Sequence, residues 1–262
     1  MQQAHDFREE CDVLAELLEP LAQDDWARAT KFKSWSADDV LTHLHFFNVA
    51  ADLSLTDVDA FDDLFAKLFK AMGEGTGGLA FSHAWLKGAK GRALYDLWRD
   101  FYPGMAERFA TADPEARLKW AGPDMSVRMS ITARQMESWA HGQALFDLFA
   151  KPRRESDRIK NIAVLGVKTY GWTFANRKQE PPGPPPQVRL TAPSGAHWAF
   201  NEENAESLVE GDAVAFCQVV TQTRNIADTA LKTTGEAATK WMAIAQCFAG
   251  PPEDPPAPGV RG

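Results

Sequence analysis

The sequence has few cysteines and no excess of basic residues, and each shortage excludes a class of protein. The three cysteines, Cys11, Cys217 and Cys247, are widely spaced and form no CxxC pair, which argues against a disulfide framework or a zinc–thiolate site. The formal net charge is −8, from 28 basic and 36 acidic residues. Because phosphate binding needs clustered Lys and Arg, this charge argues against a nucleic-acid partner or an anionic membrane surface.

Long apolar runs are also missing. No stretch approaches the roughly 20 apolar residues that span a bilayer. The first residues, MQQAHDFREE, lack the basic start and apolar core of a signal peptide. We therefore expect a cytoplasmic protein that has small-molecule ligands and is a monomer or homodimer.

Helical periodicity is present throughout the first part of the chain. Apolar residues recur at three- and four-residue spacing over residues 5–21, which indicates a helix with one buried face. Ser36, followed closely by two acidic residues, is typical of a helix start and predicts a helix over residues 37–55. Further helices are predicted over residues 61–72, 93–109 and 126–149. Short connections between helices of this length favour an antiparallel four-helix bundle over residues 1–152.

The pattern changes after residue 152. Residues 187–192 and 196–200 alternate polar and apolar side chains around a Pro-Ser-Gly turn, which predicts a β-hairpin. Helices are predicted around residues 157–176, 205–209, 214–222 and 237–248. The predicted fold class is therefore α+β, with the bundle followed by a small α/β domain over residues 153–250. The Pro-rich residues 251–262 are predicted to be disordered.

The last predicted helix of the bundle carries a carboxylate and an imidazole that are candidates for a buried pair or a metal site. Glu137 and His141 are four residues apart, so both lie on one helix face. This spacing fits a buried ion pair of Glu137 with His141 or Arg134, because a buried carboxylate needs a partner. It equally fits a metal site if His43, which lies at the inner edge of its own helix, reaches the same point. Two imidazoles and one carboxylate form a ligand set for first-row metals that leaves positions open.

Three motifs resemble those of a known family. Residues 35–44, WSADDVLTHL, resemble the W-[ST]-x-x-x-[VIL]-x-x-H-L signature of the DinB-like superfamily, and residues 21–30 fit its first loop. Residues 134–142, RQMESWAHG, resemble the second ligand helix of mycothiol-dependent maleylpyruvate isomerases. The preceding WAGPDMS, residues 120–126, is similar to an uncharacterised group of their metal-binding relatives.

The resemblance implies a DinB-like bundle with His43, Glu137 and His141 as metal ligands and zinc as the metal. It also implies a low-molecular-weight thiol as a cofactor. The chain departs from many relatives at Ala144, where they carry an Asp that supports the last histidine. Asp147 lies one turn further on and is not assumed to replace it.

An arginine of the second domain binds the anionic substrate in the isomerases that the chain resembles. Arg224 is the best candidate for this catalytic role, although an exposed, solubilising Arg is an equally good interpretation. Lys168 and Arg177 are weaker candidates.

The remaining histidines have simpler interpretations. The interpretation of His45 is a solvated or supporting residue, because it shares a face with Asp38, Asn48 and Asp52. His83 is interpreted as a packing residue beside aromatic side chains, and His197 as a surface residue on a strand.

Two functions remain open from the sequence. The first is a metal-dependent isomerase, lyase or thiol transferase that acts on a small organic acid or thioester with a thiol. The second is a non-catalytic metal- or ligand-binding protein of the same fold.

Overall fold

The computed structural model describes residues 1–204 and 206–261 of the chain. Its helices and strands divide between two compact units, Met1–Lys151 and Pro152–Gly262. Helices occupy most of the first unit, whereas the second combines short helices with a sheet. This is the α+β class that the sequence predicts. Among the described helices, none combines the length and the apolar character needed to cross a membrane.

The first unit is a four-helix bundle with two additional helices. Its main helices are α1 (Gln2–Leu18), α2 (Ala37–Thr56), α5 (Gly91–Thr111) and α6 (Val127–Leu148). Helices α1 and α2 each pack against both α5 and α6. The shorter helices α3 (Val58–Gly73) and α4 (Gly78–Trp85) pack against α2, and a small hairpin of β1 (Arg117–Leu118) and β2 (Met125–Ser126) precedes α6.

Helix α2 begins where the sequence predicts. The Ser36 hydroxyl accepts a hydrogen bond from the Asp39 backbone N–H (3.1 Å), and the Asp39 carboxylate accepts one from the Ser36 backbone N–H (2.8 Å). This reciprocal capping box satisfies two backbone donors that a helix start otherwise leaves unpaired. It fixes the position along the bundle at which His43 appears.

The bundle core is rich in large aromatic side chains. Trp98 and Trp139 are fully buried, and Trp98 belongs to one hydrophobic cluster with Phe7 and Phe109. Buried side chains of this size contribute roughly 1.5–3 kcal/mol each through removal of apolar surface from water. They hold α1, α2, α5 and α6 in a fixed arrangement, which is what a site built from two helices requires.

The second unit contains a four-stranded mixed sheet in the order β4-β3-β5-β6. Strands β3 (Gln187–Thr191) and β4 (His197–Phe200) form the predicted hairpin, and β5 (Leu208–Asp212) pairs parallel to β3. Strand β6 (Lys232–Thr234) pairs antiparallel to β5. The helices of the unit are α7 (Lys160–Lys168), α8 (Tyr170–Asn176), α9 (Ala213–Val220) and α10 (Glu236–Ile244).

Two secondary-structure predictions in the second unit are wrong. The helix predicted over residues 157–176 is interrupted at Thr169, which separates α7 from α8, and residues 157–159 form a short 3₁₀ turn before α7. The helix predicted around residues 205–209 is instead the start of β5, because Val209 is buried between two neighbouring strands. Residue 205 itself lies outside the described residues.

Residues 251–261, predicted to be disordered, form neither helix nor strand but are hydrogen-bonded to other residues of the second unit. Gln222 donates to the carbonyl of Glu253 (2.7 Å), and Asn225 donates to the carbonyl of Pro256 (2.8 Å). A Pro-rich segment still offers carbonyl acceptors, and side-chain amides can bind them without any regular strand pairing.

Candidate metal centre

Two helices of the bundle bring three possible ligand side chains together. His43 lies on α2, and Glu137 and His141 lie one turn apart on α6. One nitrogen of each histidine and one oxygen of Glu137 lie within 4.8 Å of one another. Within the described residues this is the one group of His, Cys, Asp or Glu side chains with such an arrangement.

The carboxylate lies between the two imidazoles. Glu137 Oε2 is 3.1 Å from His43 Nε2 and 3.0 Å from His141 Nε2, and the two imidazole centroids are 4.4 Å apart. The three side chains are largely buried, with between 14% and 22% of their surface exposed. The group is therefore shielded by protein but still reachable from solvent.

The protonation states suit metal binding. Burial raises the pKa of Glu137, but hydrogen bonds from both imidazoles outweigh it and hold that pKa well below its usual value. Burial and the neighbouring His141 lower the pKa of His43 from 6.5 to about 4, with Glu137 opposing in part. Because metals bind neutral imidazole and ionised carboxylate, neither group must lose a proton at neutral pH. The donor set fits a divalent metal such as zinc.

Aromatic rings surround the two imidazoles. The Trp35 ring stacks on His141 with an interplanar angle of 11° and a centroid distance of 5.5 Å. Phe32 packs edge-on against the same imidazole at 5.1 Å, and Phe47 packs against His43 at 4.9 Å. These rings restrict the orientations of both histidines and lower the local dielectric constant, which strengthens electrostatic interactions at the site.

A tight loop carries two of these rings. Thr30 donates its backbone N–H to the Trp35 carbonyl (2.7 Å), and Trp35 donates to the Phe32 carbonyl (2.9 Å). Lys33 and Ser34 turn the chain with positive φ angles of 50° and 57°. The motif of residues 35–44 includes Trp35, but sequence spacing alone does not predict that Phe32 and Trp35 pack against His141.

Arg134 lies one turn before Glu137 on α6 and is 3% exposed. Its Nε donates to the side-chain oxygen of Asn48 (3.1 Å), and its guanidinium lies 5.9 Å from the Phe47 ring centroid. The hydrogen-bonding partners of Glu137 are thus the two imidazoles, and the Glu137–Arg134 pair considered from the sequence is replaced by an Arg134–Asn48 contact.

The Asp that the resemblance leads us to expect three residues after His141 is absent. Residue 144 is Ala, and the nearby Asp147 accepts a hydrogen bond from Gln143 (2.9 Å). Asp147 lies nearly two helical turns beyond His141 and is engaged as a partner of Gln143.

The interpretation of His45 as a solvated residue is wrong. His45 is 6% exposed and packs edge-on against Phe101 at 5.4 Å, and burial lowers its pKa to about 4. Helix α2 packs against α5. Asp52, which shares the face of His45, accepts two hydrogen bonds from Arg108 on α5.

His83 has a more specific partner than the expected aromatic packing. Its Nε2 lies 2.7 Å from Asp39 Oδ1, and its Nδ1 lies 3.3 Å from the Thr42 hydroxyl. An ionised carboxylate can only accept, so Nε2 donates to Asp39. Asp39 thus caps α2 through Ser36 and attaches α4 to α2 through His83, one turn before His43.

We expect the Asp39→Asn variant to lower the free energy of unfolding by about 1–2 kcal/mol at pH 7, since charge-assisted hydrogen bonds become neutral ones. Burial raises the Asp39 pKa, but hydrogen bonds from Ser36 and His83 lower it below its ordinary 3.8 overall. The stabilisation is therefore present above about pH 4 and is lost as the pH falls through the folded-state pKa. Urea unfolding of the variant and of the unmodified protein at pH 7 and at pH 3 measures the difference in the free energy of unfolding at each pH.

The matched control is Asp63→Asn, which removes an exposed carboxylate that pairs with Lys67 on α3. Exposed pairs of this kind contribute about 0–1 kcal/mol, so this variant should unfold like the unmodified protein. Equal effects of the two substitutions would contradict the role assigned to Asp39.

The remaining predicted residues lie in the second unit. Arg224 follows α9, and its Nη1 donates to the Thr223 carbonyl (2.9 Å). Lys168 is the last residue of α7, and Arg177 follows α8 and pairs with Asp254. His197 is exposed on β4, as expected. The catalytic role of Arg224 stays a prediction.

The three cysteines are buried side chains. Cys11, Cys217 and Cys247 are unbonded to one another and buried. They are small buried apolar residues, and burial raises the pKa of Cys11 well above its ordinary value.

Comparison with known proteins gives consistent matches. The profile of the mycothiol maleylpyruvate isomerase N-terminal domain matches residues 7–146. Two proteins of Mycobacterium tuberculosis, the uncharacterized protein MT0041 of strain CDC 1551 / Oshkosh and the uncharacterized protein Rv0036c of strain ATCC 25618 / H37Rv, are each 34% identical to the chain over 248 residues. Each match covers 94% of this chain and 95% of the relative.

Solved structures share the fold. A crystal structure of the mycothiol-dependent maleylpyruvate isomerase superimposes with a TM-score of 0.56 at 11% identity, covering 90% of this chain and 93% of that one. A single-residue mutant of a mycothiol-dependent maleylpyruvate isomerase gives a TM-score of 0.53 at 10% identity, covering 83% and 87%. At these identities the agreement concerns the arrangement of helices and strands.

Proposed function

Because the chain belongs to the mycothiol maleylpyruvate isomerase N-terminal domain family, we propose that it is a metal-dependent enzyme that uses a low-molecular-weight thiol. Its substrate in this proposal is a small organic acid or thioester, and its reaction is that of an isomerase, lyase or thiol transferase. We place this activity in the cytoplasm.

The observation that carries the proposal is the convergence of His43, Glu137 and His141. In the proposal, the Nε2 atoms of both histidines and the Glu137 carboxylate hold a zinc ion. A bound zinc ion supplies Lewis acidity and favours the thiolate form of a thiol at neutral pH. Three protein ligands match the catalytic type of zinc site, which keeps a position open for a small molecule.

The chain's own residues prepare the site for this chemistry. Glu137 brings a full negative charge between two imidazoles, which offsets part of the charge of a divalent cation. Trp35 and Phe32 cover His141 and limit the access of water, which strengthens the interaction of the site with an anionic sulfur or carboxylate. In the proposal, Arg224 binds a carboxylate of the substrate.

A non-catalytic metal- or ligand-binding protein is the second candidate. The observation that favours it is Ala144, which cannot support the ring of His141 as an Asp would. Loss of a side chain that hydrogen-bonds to a metal-bound histidine typically lowers metal affinity or activity by about 10- to 100-fold.

A turnover assay separates the two candidates. The zinc-loaded protein is incubated with maleylpyruvate and with mycothiol, glutathione or no thiol, and formation of the isomerised acid is followed. We expect thiol-dependent turnover that a chelator lowers by at least about 100-fold and that added zinc restores. The His43→Ala variant should not recover with zinc.

Metal binding without thiol-dependent turnover of maleylpyruvate or of related unsaturated acids and thioesters would favour the non-catalytic candidate. Turnover that persists in full after chelation would contradict the role of the metal.

A further inference from the structure

A second concave site lies in the first unit, outside the candidate metal centre. A cavity of about 420 Å³ opens between α3 and the segment that begins at Lys119. We call it the aromatic cavity, because four rings form its apolar walls: Phe61, Phe65, Phe69 and Trp120. Its volume lies in the range of small-molecule sites.

The four rings pack against one another. Phe61 and Trp120 are nearly parallel, with an interplanar angle of 27° and a centroid distance of 6.3 Å, and Phe65 lies 5.8 Å from Trp120. Phe61 and Phe65 are buried, whereas Phe69 is 50% exposed. The aromatic surface that a ligand can reach therefore comes mainly from Phe69 and Trp120, and ring faces carry negative electrostatic potential.

Carboxylates form the polar rim. Lys119 Nζ lies 2.5 Å from Asp62 Oδ2. The hydrogen bond to Asp62 raises the pKa of Lys119, and the charges of Asp124 and Asp59 act in the same direction. Two carboxylates, those of Asp62 and Asp124, and one ammonium group, that of Lys119, line the cavity, so the charges of its lining sum to one negative charge. The chain itself already holds a cationic nitrogen at this rim.

We propose that the aromatic cavity binds a small organic cation with an alkylated ammonium group. Such a group donates few or no hydrogen bonds, and proteins recognise it by aromatic faces together with nearby negative charge. The cavity offers both, since four rings line it and Asp62 and Asp124 stand at its rim. An anionic ligand would meet repulsion at the same rim, and a neutral apolar ligand would gain nothing from the carboxylates.

The cavity is near the candidate metal centre but distinct from it. Trp120 contacts Phe47 at 6.3 Å, and Phe47 contacts His43 at 4.9 Å. One ring, that of Phe47, therefore separates the two sites. The cation site does not depend on the metal ligands, and the environment of the Trp120 indole should change when a ligand enters.

The test is a titration with choline and with 3,3-dimethylbutan-1-ol, which has the same shape without the charge. We expect saturable choline binding by calorimetry and by a shift of the Trp120 indole resonance, with a dissociation constant of about 10 mM or below. The neutral alcohol should bind at least about five-fold more weakly, because it lacks the cation–π attraction, which contributes about 1 kcal/mol.

Variants locate the site. Phe69→Ala removes a half-exposed ring and should weaken choline binding by at least about five-fold without unfolding the protein. Asp124→Asn should weaken choline binding as well. Raised salt should reduce the difference in choline affinity between Asp124→Asn and the unmodified protein. The matched control is Met72→Ala, an exposed apolar residue of the same helix that does not line the cavity. This variant should bind choline normally.

The His43→Ala variant distinguishes this proposal from that of the metal-dependent enzyme. It should lose metal but keep choline binding. Absence of saturable choline binding, equal binding of the neutral alcohol, normal binding by Phe69→Ala, or loss of binding in His43→Ala would each overturn the proposal.

Discussion

The His43→Ala variant should purify with almost no bound divalent metal, whereas the unmodified protein should carry about one equivalent after zinc loading. Removing one of three ligands eliminates one metal bond and leaves only Glu137 and His141 to hold the ion. We expect the zinc affinity to fall by more than about 100-fold, since even partners that only support a ligand are worth 10- to 100-fold. Elemental analysis and competition with a chromophoric chelator measure these values.

The same loss is expected for Glu137→Ala, because the carboxylate lies between the two imidazoles. The matched control is His83→Ala, which removes a histidine of the same unit that pairs with Asp39. This variant should keep its metal. If His43→Ala and His83→Ala bind zinc equally well, the assigned ligand set is wrong.

The second large effect concerns the bundle that positions the site. Trp98 is fully buried on α5 and packs against Tyr102 at 4.8 Å and Tyr95 at 6.2 Å. We expect Trp98→Ala to lower the free energy of unfolding of the first unit by about 3–5 kcal/mol, because it removes an indole from a closed interior and leaves a cavity. Urea unfolding followed by circular dichroism measures the change.

Trp98→Phe is the matched control. It keeps an aromatic ring and removes an indole N–H that has no hydrogen-bond acceptor, so part of the lost packing is offset. The loss in free energy of unfolding should be clearly smaller for Trp98→Phe than for Trp98→Ala. The folded Trp98→Ala protein should still bind one zinc, which separates fold stability from metal binding. A loss below about 1 kcal/mol would contradict the assigned role of Trp98 in the core.

The features that the sequence predicts well are local. Ser36 and Asp39 lie three residues apart and cap α2 without any distant partner, so the start of that helix follows from spacing. The shared face of Glu137 and His141 follows from helix geometry in the same way. The approach of His43 to this pair needs the bundle as well, and the motif resemblance supplied that expectation.

The features that the sequence did not predict depend on distant contacts. The position of Trp35 against His141 requires a turn with left-handed residues at Lys33 and Ser34. His45 looks solvated in a helical projection because its neighbours are polar, yet α5 covers this face and Arg108 pairs with Asp52.

The helix that the sequence predicts in place of the start of β5 is wrong for a similar reason. Its short apolar run around Val209 suits either structure, and pairing with β3 and β6 decides between them. Burial of a short segment depends on its neighbours in the sheet, which no local pattern reveals.

The most direct test of the central claim is anomalous diffraction at the zinc edge from crystals of the zinc-loaded protein. We predict one strong peak in the first unit, about 2.0–2.2 Å from a nitrogen of His43, a nitrogen of His141 and an oxygen of Glu137. A zinc ion bound elsewhere, or zinc-loaded crystals without a peak between these three side chains, would contradict the account.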